Sequence, residues 1–153
     1  MADKRVQINN PKGSSLSDPP QEISISTIRT GDDCISIGQG VTNATISEIF
    51  CGPGHGLSIG SLGKYEDEAD VKGIMPSPVK ISNVHYKNIG GTSTSKVAVN
   101  FLCSSSVPCE GIELTNIDLS YVGTKDPESP ISASCTNAKV KTRGAHPPGC
   151  EEL

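Results

Sequence analysis

The stretch 30–63 reads TGDDCISIGQG (30–40), VTNATISEIF (41–50) and CGPGHGLSIGSLG (51–63). Within it, Ile35-Ser-Ile-Gly38 and Leu57-Ser-Ile-Gly60 are near-copies of one another. Each copy is a strand-sized alternation closed by glycine. Asp32 and Asp33 stand just ahead of the first copy, and His55, between two glycines, stands just ahead of the second. If each repeat is one turn of a solenoid, equivalent points stack side by side. A carboxylate pair then comes to lie beside a histidine. Taken singly, Gly-Asp-Asp is a common solvated turn and Gly-His-Gly a common loop. Their shared register is what supports a functional reading.

Working outward, a related motif recurs as Ile25-Ser-Thr-Ile28, Ile46-Ser-Glu-Ile49, Ile81-Ser-Asn-Val84 and Leu114-Thr-Asn-Ile117, at offsets of 21, 35 and 33. Short strands at such periods, with no helical pattern between them, predict an all-β chain wound as a parallel β-helix. Val6–Ile8, Ile35–Ile37, Leu57–Ile59, Val97–Leu102 and the stretches 71–74 and 119–122 are the further strands expected. The uneven offsets leave an antiparallel sandwich as the alternative. Residues 1–21 read as an irregular N-terminal segment, 22–125 as the coils, and 126–153, rich in Pro and Ser, as an irregular C-terminal cap. The offset of 35 is long for one coil and short for two, and it spans a polar loop and Met75-Pro-Ser-Pro78.

The composition agrees with short strands and turns. The chain has 153 residues, no Trp, two Phe and three Tyr, and is rich in small and β-branched residues. A net charge of −4 leaves no electrostatic footprint for nucleic acid. No apolar run reaches the length of a membrane span. Six cysteines point to an oxidising compartment. They allow 15 pairings; the simplest is local, Cys34–Cys51, Cys103–Cys109 and Cys135–Cys150. With no C-x-x-C and with His55, His85 and His146 far apart, the spacing argues against structural zinc, and no cofactor is expected. Asn43-Ala-Thr45 is a glycosylation sequon consistent with secretion. The charged start MADKRVQINN is no signal peptide, so the sequence reads as a mature or incomplete segment.

Two motifs mislead. Gly56-Leu-Ser58-Ile-Gly60 fits the nucleophile-elbow pattern, but that motif needs a following helix, and Ser58 falls in a strand-like alternation. Gly52-Pro-Gly-His-Gly56 has no Lys-Ser/Thr after it and is no phosphate loop. The paired carboxylates carry more. Glycoside cleavage needs one carboxylic acid to protonate the leaving oxygen and one carboxylate to activate water or attack carbon. Like charges held together favour keeping one of two carboxyls protonated. Adjacent strand residues face opposite ways, so Asp32 and Asp33 share a cleft only if the Gly31 turn twists them.

TGDDCISIG and CGPGHGLSIGSLGKY, with VKISNVHYKNIGGTS, KVAVNFLCSSSVPC and the closing PPGC, resemble the plant polygalacturonases, pectin-cleaving glycoside hydrolases of the right-handed parallel β-helix type. The resemblance implies a secreted, monomeric cell-wall protein that hydrolyses the α-1,4-galacturonan of pectin with inversion. It implies Asp32 as general acid, Asp33 as an activator of water, and His55 as a group that holds the acid's environment and contacts sugar. It places Lys64 near the cleft without a role. It also implies an Asn-Thr-Asp motif one coil earlier and an Arg-x-Lys clamp after Gly-His-Gly. One offset of 21 before Asp32 stands Pro11, and no Arg lies between Lys64 and Lys80. The chain thus reads as a shortened member, with a non-catalytic, pectin-binding or interaction role as the alternative.

Overall fold

The computed structural model describes residues 6–8, 21–37, 41–59, 81–103, 105, 108–125 and 130–150. They form ten strands: β1 Val6–Ile8, β2 Gln21–Ile28, β3 Ile35–Ile37, β4 Thr42–Cys51, β5 Leu57–Ile59, β6 Ser82–Ser93, β7 Val97–Leu102, β8 Cys109–Tyr121, β9 Ser132–Thr136 and β10 Ala138–Arg143. The odd-numbered strands β1-β3-β5-β7-β9 make one sheet, and β10-β8-β6-β4-β2 the other. Every pairing is parallel, which excludes the antiparallel sandwich. The chain alternates between the sheets, so one long strand, a corner and one short strand make a coil. The architecture is a parallel β-helix, and no helix occurs among the described residues.

The long strands carry a built-in bend. Ile25, Glu48, Asn88 and Asn116 all have positive φ, near 50°, and Gly144 has φ 67°. The pairings put these residues in one column: Ser24↔Ser47↔Lys87↔Thr115↔Arg143 immediately precede them. A left-handed residue at one height in every coil folds the long sheet into two faces. Asparagine suits the position because its short amide can bond locally. Here the Asn116 amide donates to Asn88 Oδ1 at 3.2 Å, and the Asn88 amide to Glu48 Oε1 at 2.7 Å. Gly144 ends the ladder, because a Cβ there would collide with the Asn116 amide oxygen.

This column corrects the repeat reading. Leu114-Thr-Asn-Ile117 pairs with Tyr86-Lys-Asn-Ile89, and Ile46 pairs with Tyr86 rather than with Ile81. Strand β6 turns Val84, Tyr86 and Ile89 inward, so its apolar pattern supports more than one register. Ile23, not Ile25, pairs with Ile46. Ile25 stands in the left-handed column and is 84% exposed. The true repeat in this sheet runs from Ile23 to Ile46, then to Tyr86, Leu114 and Thr142. Its longest step, from Ile46 to Tyr86, is a single coil, because β4 stacks directly on β6 and β5 on β7. The expected strand at 71–74 and Lys64 lie outside the described residues.

The core is a set of stacked side chains. Ile35, Leu57 and Val99 form one column and Ile37, Ile59 and Phe101 the next, facing Ile46, Tyr86 and Leu114. The Tyr86 and Phe101 rings stack with centroids 5.6 Å apart, filling a chain otherwise poor in aromatics. Strands β3, β5 and β7 lie where the sequence puts them, and the strand expected at 119–122 is absorbed into β8, which ends at Tyr121. The segment read as an irregular cap instead continues both sheets through β9 and β10. Only Ala133 and Val140 of those strands are buried, too weak an apolar pattern to announce them. The tail then folds back: the Ala133 N–H donates to Pro148 O at 2.7 Å. All six cysteines are paired as the local scheme expects. Cys34–Cys51 joins neighbouring coils, since Cys51 lies beside Ile28.

Candidate active site

The three singled-out residues occupy the corner where the chain leaves the long sheet for the short one. In the coil of β2 and β3 this corner runs from Arg29 to Cys34; in the coil of β4 and β5 it runs from Gly52 to Gly56. Backbone hydrogen bonds zip the two corners together. Gly52 N–H donates to Ile28 O at 2.9 Å, Thr30 N–H to Pro53 O at 3.0 Å, His55 N–H to Asp32 O at 2.9 Å, and Cys34 N–H to Gly56 O at 2.7 Å. His55 is thereby anchored to Asp32 through the main chain. Its two glycines answer to neighbours on opposite sides. A Cβ on Gly54 would stand 3.0 Å from Asp32 O, and one on Gly56, at φ 87°, would run into Ala98 O of the next coil. Only glycine tolerates both demands at Gly56.

The side chains form a connected set. Thr30 Oγ1 accepts the Asp32 N–H at 3.0 Å, which fixes the turn, and Asp32 Oδ1 accepts the Asp33 N–H at 2.8 Å. The Gly31 turn therefore brings both carboxylates to one side. Asp32 Oδ1 also faces His55 Nδ1 at 4.0 Å, too far for a hydrogen bond but close enough for attraction to a protonated imidazole. Asp33 Oδ2 accepts the Ser58 hydroxyl at 2.8 Å. One donor atom from each of Asp32, Asp33 and His55 lies within 4.8 Å of the others. Asp32 and His55 are about half exposed, with side chains 53% and 48% accessible, while Asp33 is less exposed. This is an open, acidic, solvent-facing group in which Ser58 holds Asp33 and Asp32 faces outward. The same three residues offer a cation three donors, one short of a tetrahedral zinc site.

Sequence reasoning missed two contributors. Ser58 stands out in the sequence only as a misleading elbow serine; it is 8% exposed and serves as the donor that holds Asp33. Its signal was its pairing with Ser36 in the two Ile/Leu-Ser-Ile-Gly copies. Thr30 is likewise buried at 5% exposure. On the next coil the residue beside Ser58 is Asn100, and the same corner carries Lys96, whose Nζ sits 5.8 Å from the Tyr121 ring centre. No arginine follows His55 in the described part of its coil.

The register of the first strand revises the search for an earlier acidic residue. Val6 pairs with Ile35, so the coil before Asp32 is longer than the offset that points to Pro11. Counting along the sequence, Asp3 stands as far ahead of Val6 as Asp32 stands ahead of Ile35. Asp3 itself lies outside the described residues.

Comparison with known proteins follows the same lines. A family model described as glycosyl hydrolases family 28 matches residues 9–77 and 74–144, two stretches that meet at Ile74 to Ser77. The chain is 35% identical over 180 aligned positions to an exopolygalacturonase of Oenothera organensis, covering 79% of this chain and 49% of the relative. It is 35% identical to a polygalacturonase of Gossypium hirsutum, covering 78% and 43%, and 33% identical to one of Medicago sativa, covering 78% and 42%. The chain thus spans about half the length, or less, of the curated relatives it matches.

Proposed function

The chain belongs to glycosyl hydrolase family 28, and we propose that it acts on the α-1,4-galacturonan of pectin as a secreted, monomeric, inverting glycosidase. The observation that carries this reading is the convergence of Asp32, Asp33 and His55 at one open corner. In the proposed step, water adds to the anomeric carbon as the glycosidic C–O bond breaks. The departing oxygen keeps the bonding electron pair and takes the proton of Asp32. Water gives up its proton to a carboxylate. Asp32 suits the acid's role because its carboxyl opens to solvent, where a departing oxygen can reach it. Asp33 suits a part in activating the water because Ser58 holds one of its oxygens in place.

Spacing limits what the pair does alone. Inverting enzymes separate acid and base carboxyls by about 6.5–9.5 Å to admit a water, whereas the Asp32 and Asp33 donor atoms lie within 4.8 Å. A base on the far side of the sugar would have to come from another coil. Asp3, at the matching sequence count, is the candidate. The three disulfides support secretion into an oxidising space such as the cell wall. The experiment is release of reducing ends from polygalacturonate by protein with β-rich circular dichroism. Slow release that disappears in Asp32→Asn and drops in Asp3→Asn is expected; release unaffected by Asp32→Asn overturns the assignment.

A second reading has its own support. The neighbour of Ser58 on the next coil is the uncharged Asn100, and no arginine follows His55 in the described part of its coil. Without a cationic partner there for a uronate carboxylate, the chain could retain the surface and lose turnover. Binding of galacturonate oligomers, without release of reducing ends and weakened by Asp32→Asn, would select this non-catalytic role.

A further inference from the structure

We propose that Asn43 is the attachment site of an N-linked glycan, carried on the corner opposite the acidic site. Asn43-Ala44-Thr45 is the one N-x-S/T sequence in the chain. A sequon alone says little about the folded product, and the structure supplies the rest. Asn43 is exposed and left-handed, with φ 56°. It stands in a second positive-φ column with Asn83 and Gly111, just before the paired residues Ala44, Val84 and Ile112. Its Oδ1 accepts the Asn83 amide at 3.1 Å. Its own Nδ2 donates to no other described residue. The sense of this rung repeats that of the neighbouring ladder, where Glu48, an acceptor only, forces Asn88 to donate.

That direction separates Asn43 from the other asparagines of the turns. Asn83, Asn88 and Asn116 each use Nδ2 to hold the preceding coil, so a sugar on that nitrogen would cost a rung. Asn43 uses only its oxygen, which glycosylation leaves in place. Transfer would form a bond from Nδ2 to the anomeric carbon of a lipid-diphosphate-linked oligosaccharide. The sugar–phosphate bond breaks, the lipid diphosphate leaves with the electron pair, and the amide loses one proton. The full pairing of the cysteines fits passage through the compartment where that donor is found.

Placement decides what the glycan would do. Asp32, Asp33 and His55 lie where the chain passes from the long sheet to the short one; Asn43 lies where it has just returned. The glycan therefore stands clear of the acidic corner and shields the entry to β4 and the neighbouring end of β2. The test is expression of the whole chain behind a secretory leader in eukaryotic cells, followed by peptide mapping of the disulfide-intact secreted protein. Enzymatic removal of N-glycans in heavy-oxygen water should convert Asn43 to labelled Asp in most molecules. Thr45→Val should abolish the label and Thr45→Ser should keep it. Deglycosylated and glycosylated protein should share one disulfide map. Recovery of the Asn43 peptide wholly unmodified from secreted protein, or equal labelling in Thr45→Val, overturns the proposal. If Thr45→Val is not secreted, the unsubstituted chain and Thr45→Ser still decide it.

Discussion

The Ser58 hydroxyl donates to Asp33 Oδ2 at 2.8 Å across the boundary between two coils. The donor is nearly buried and its acceptor is an ionisable group, so the bond belongs to the stronger class, about 1.5–3 kcal/mol. Ser58→Ala should therefore destabilise the fold by about 1.5 kcal/mol and also lower any hydrolysis, because the carboxylate loses its fixed orientation. Asp33→Asn keeps an acceptor for the hydroxyl and should leave stability nearly intact while removing the charge of the carboxylate proposed to help activate water. Urea denaturation alongside reducing-end assays separates the two. Equal stability of Ser58→Ala and the parent would sink this account.

Tyr86 is fully buried and its hydroxyl has no partner among the described residues. Such a group forfeits its bonds to water, a cost of about 1–3 kcal/mol. Tyr86→Phe should raise the denaturation midpoint while keeping the stack on Phe101. Burial also pushes the Tyr86 phenol well above its ordinary range. The unfolded chain ionises first, so this contribution is complete below about pH 10 and is lost as pH rises beyond that value. Alkaline unfolding should be less steep in Tyr86→Phe. A destabilised variant would mean that the hydroxyl is satisfied.

Ile25 is a β-branched residue in a left-handed conformation, 84% exposed, at the end of a column otherwise held by Glu48, Asn88, Asn116 and Gly144. The conformation costs roughly 1–2 kcal/mol for such a side chain. Ile25→Asn relieves it and places an amide beside Glu48. Stabilisation of about 1 kcal/mol is expected, roughly 2–4 °C in Tm for a chain of this size. A lower Tm would show that Ile25 contributes apolar cover worth more than the strain.

Asn100 pairs with Ser58 on the short sheet. Asn100→Arg would put a guanidinium one coil from the acidic corner, where it could grip a uronate carboxylate through charge-assisted bonds. At about 1.5–3 kcal/mol, kcat/KM on polygalacturonate should rise at least about tenfold. The gain should shrink with added salt and vanish on a methyl-esterified polymer. An equal gain on the esterified polymer would contradict the mechanism.

How legible the molecule was depended on what each residue had to do. Strands β3, β5 and β7 declared themselves because short apolar runs ended at glycine or at a break in the pattern. The acidic corner declared itself because two polar motifs kept one register. The bend of the long sheet did not, since Ile25, Glu48, Asn88, Asn116 and Gly144 share a backbone conformation but no one side-chain type, only two of them being asparagine. Hydrophobic period alone cannot choose between registers in β6, where several inward residues give similar patterns. Ser58 was hidden by a motif it resembles, and β10 by alternating lysines on its outer face.

The direct stacking of β4 on β6 and of β5 on β7, with Ile46 beside Tyr86 and Leu57 beside Val99, makes coil number a variable independent of phase. Each coil contacts only its immediate neighbours, so whole turns could be gained or lost between positions 59 and 81 without shifting any other side chain between inside and outside. What changes is distance along the axis. A cation and an acid that belong to different turns move apart or together in quanta of about 4.8 Å, the spacing of neighbouring strands. Under the proposed function, the reach of the site along a polymer would be set by counting turns, whereas the Asp32 corner itself is built within two of them.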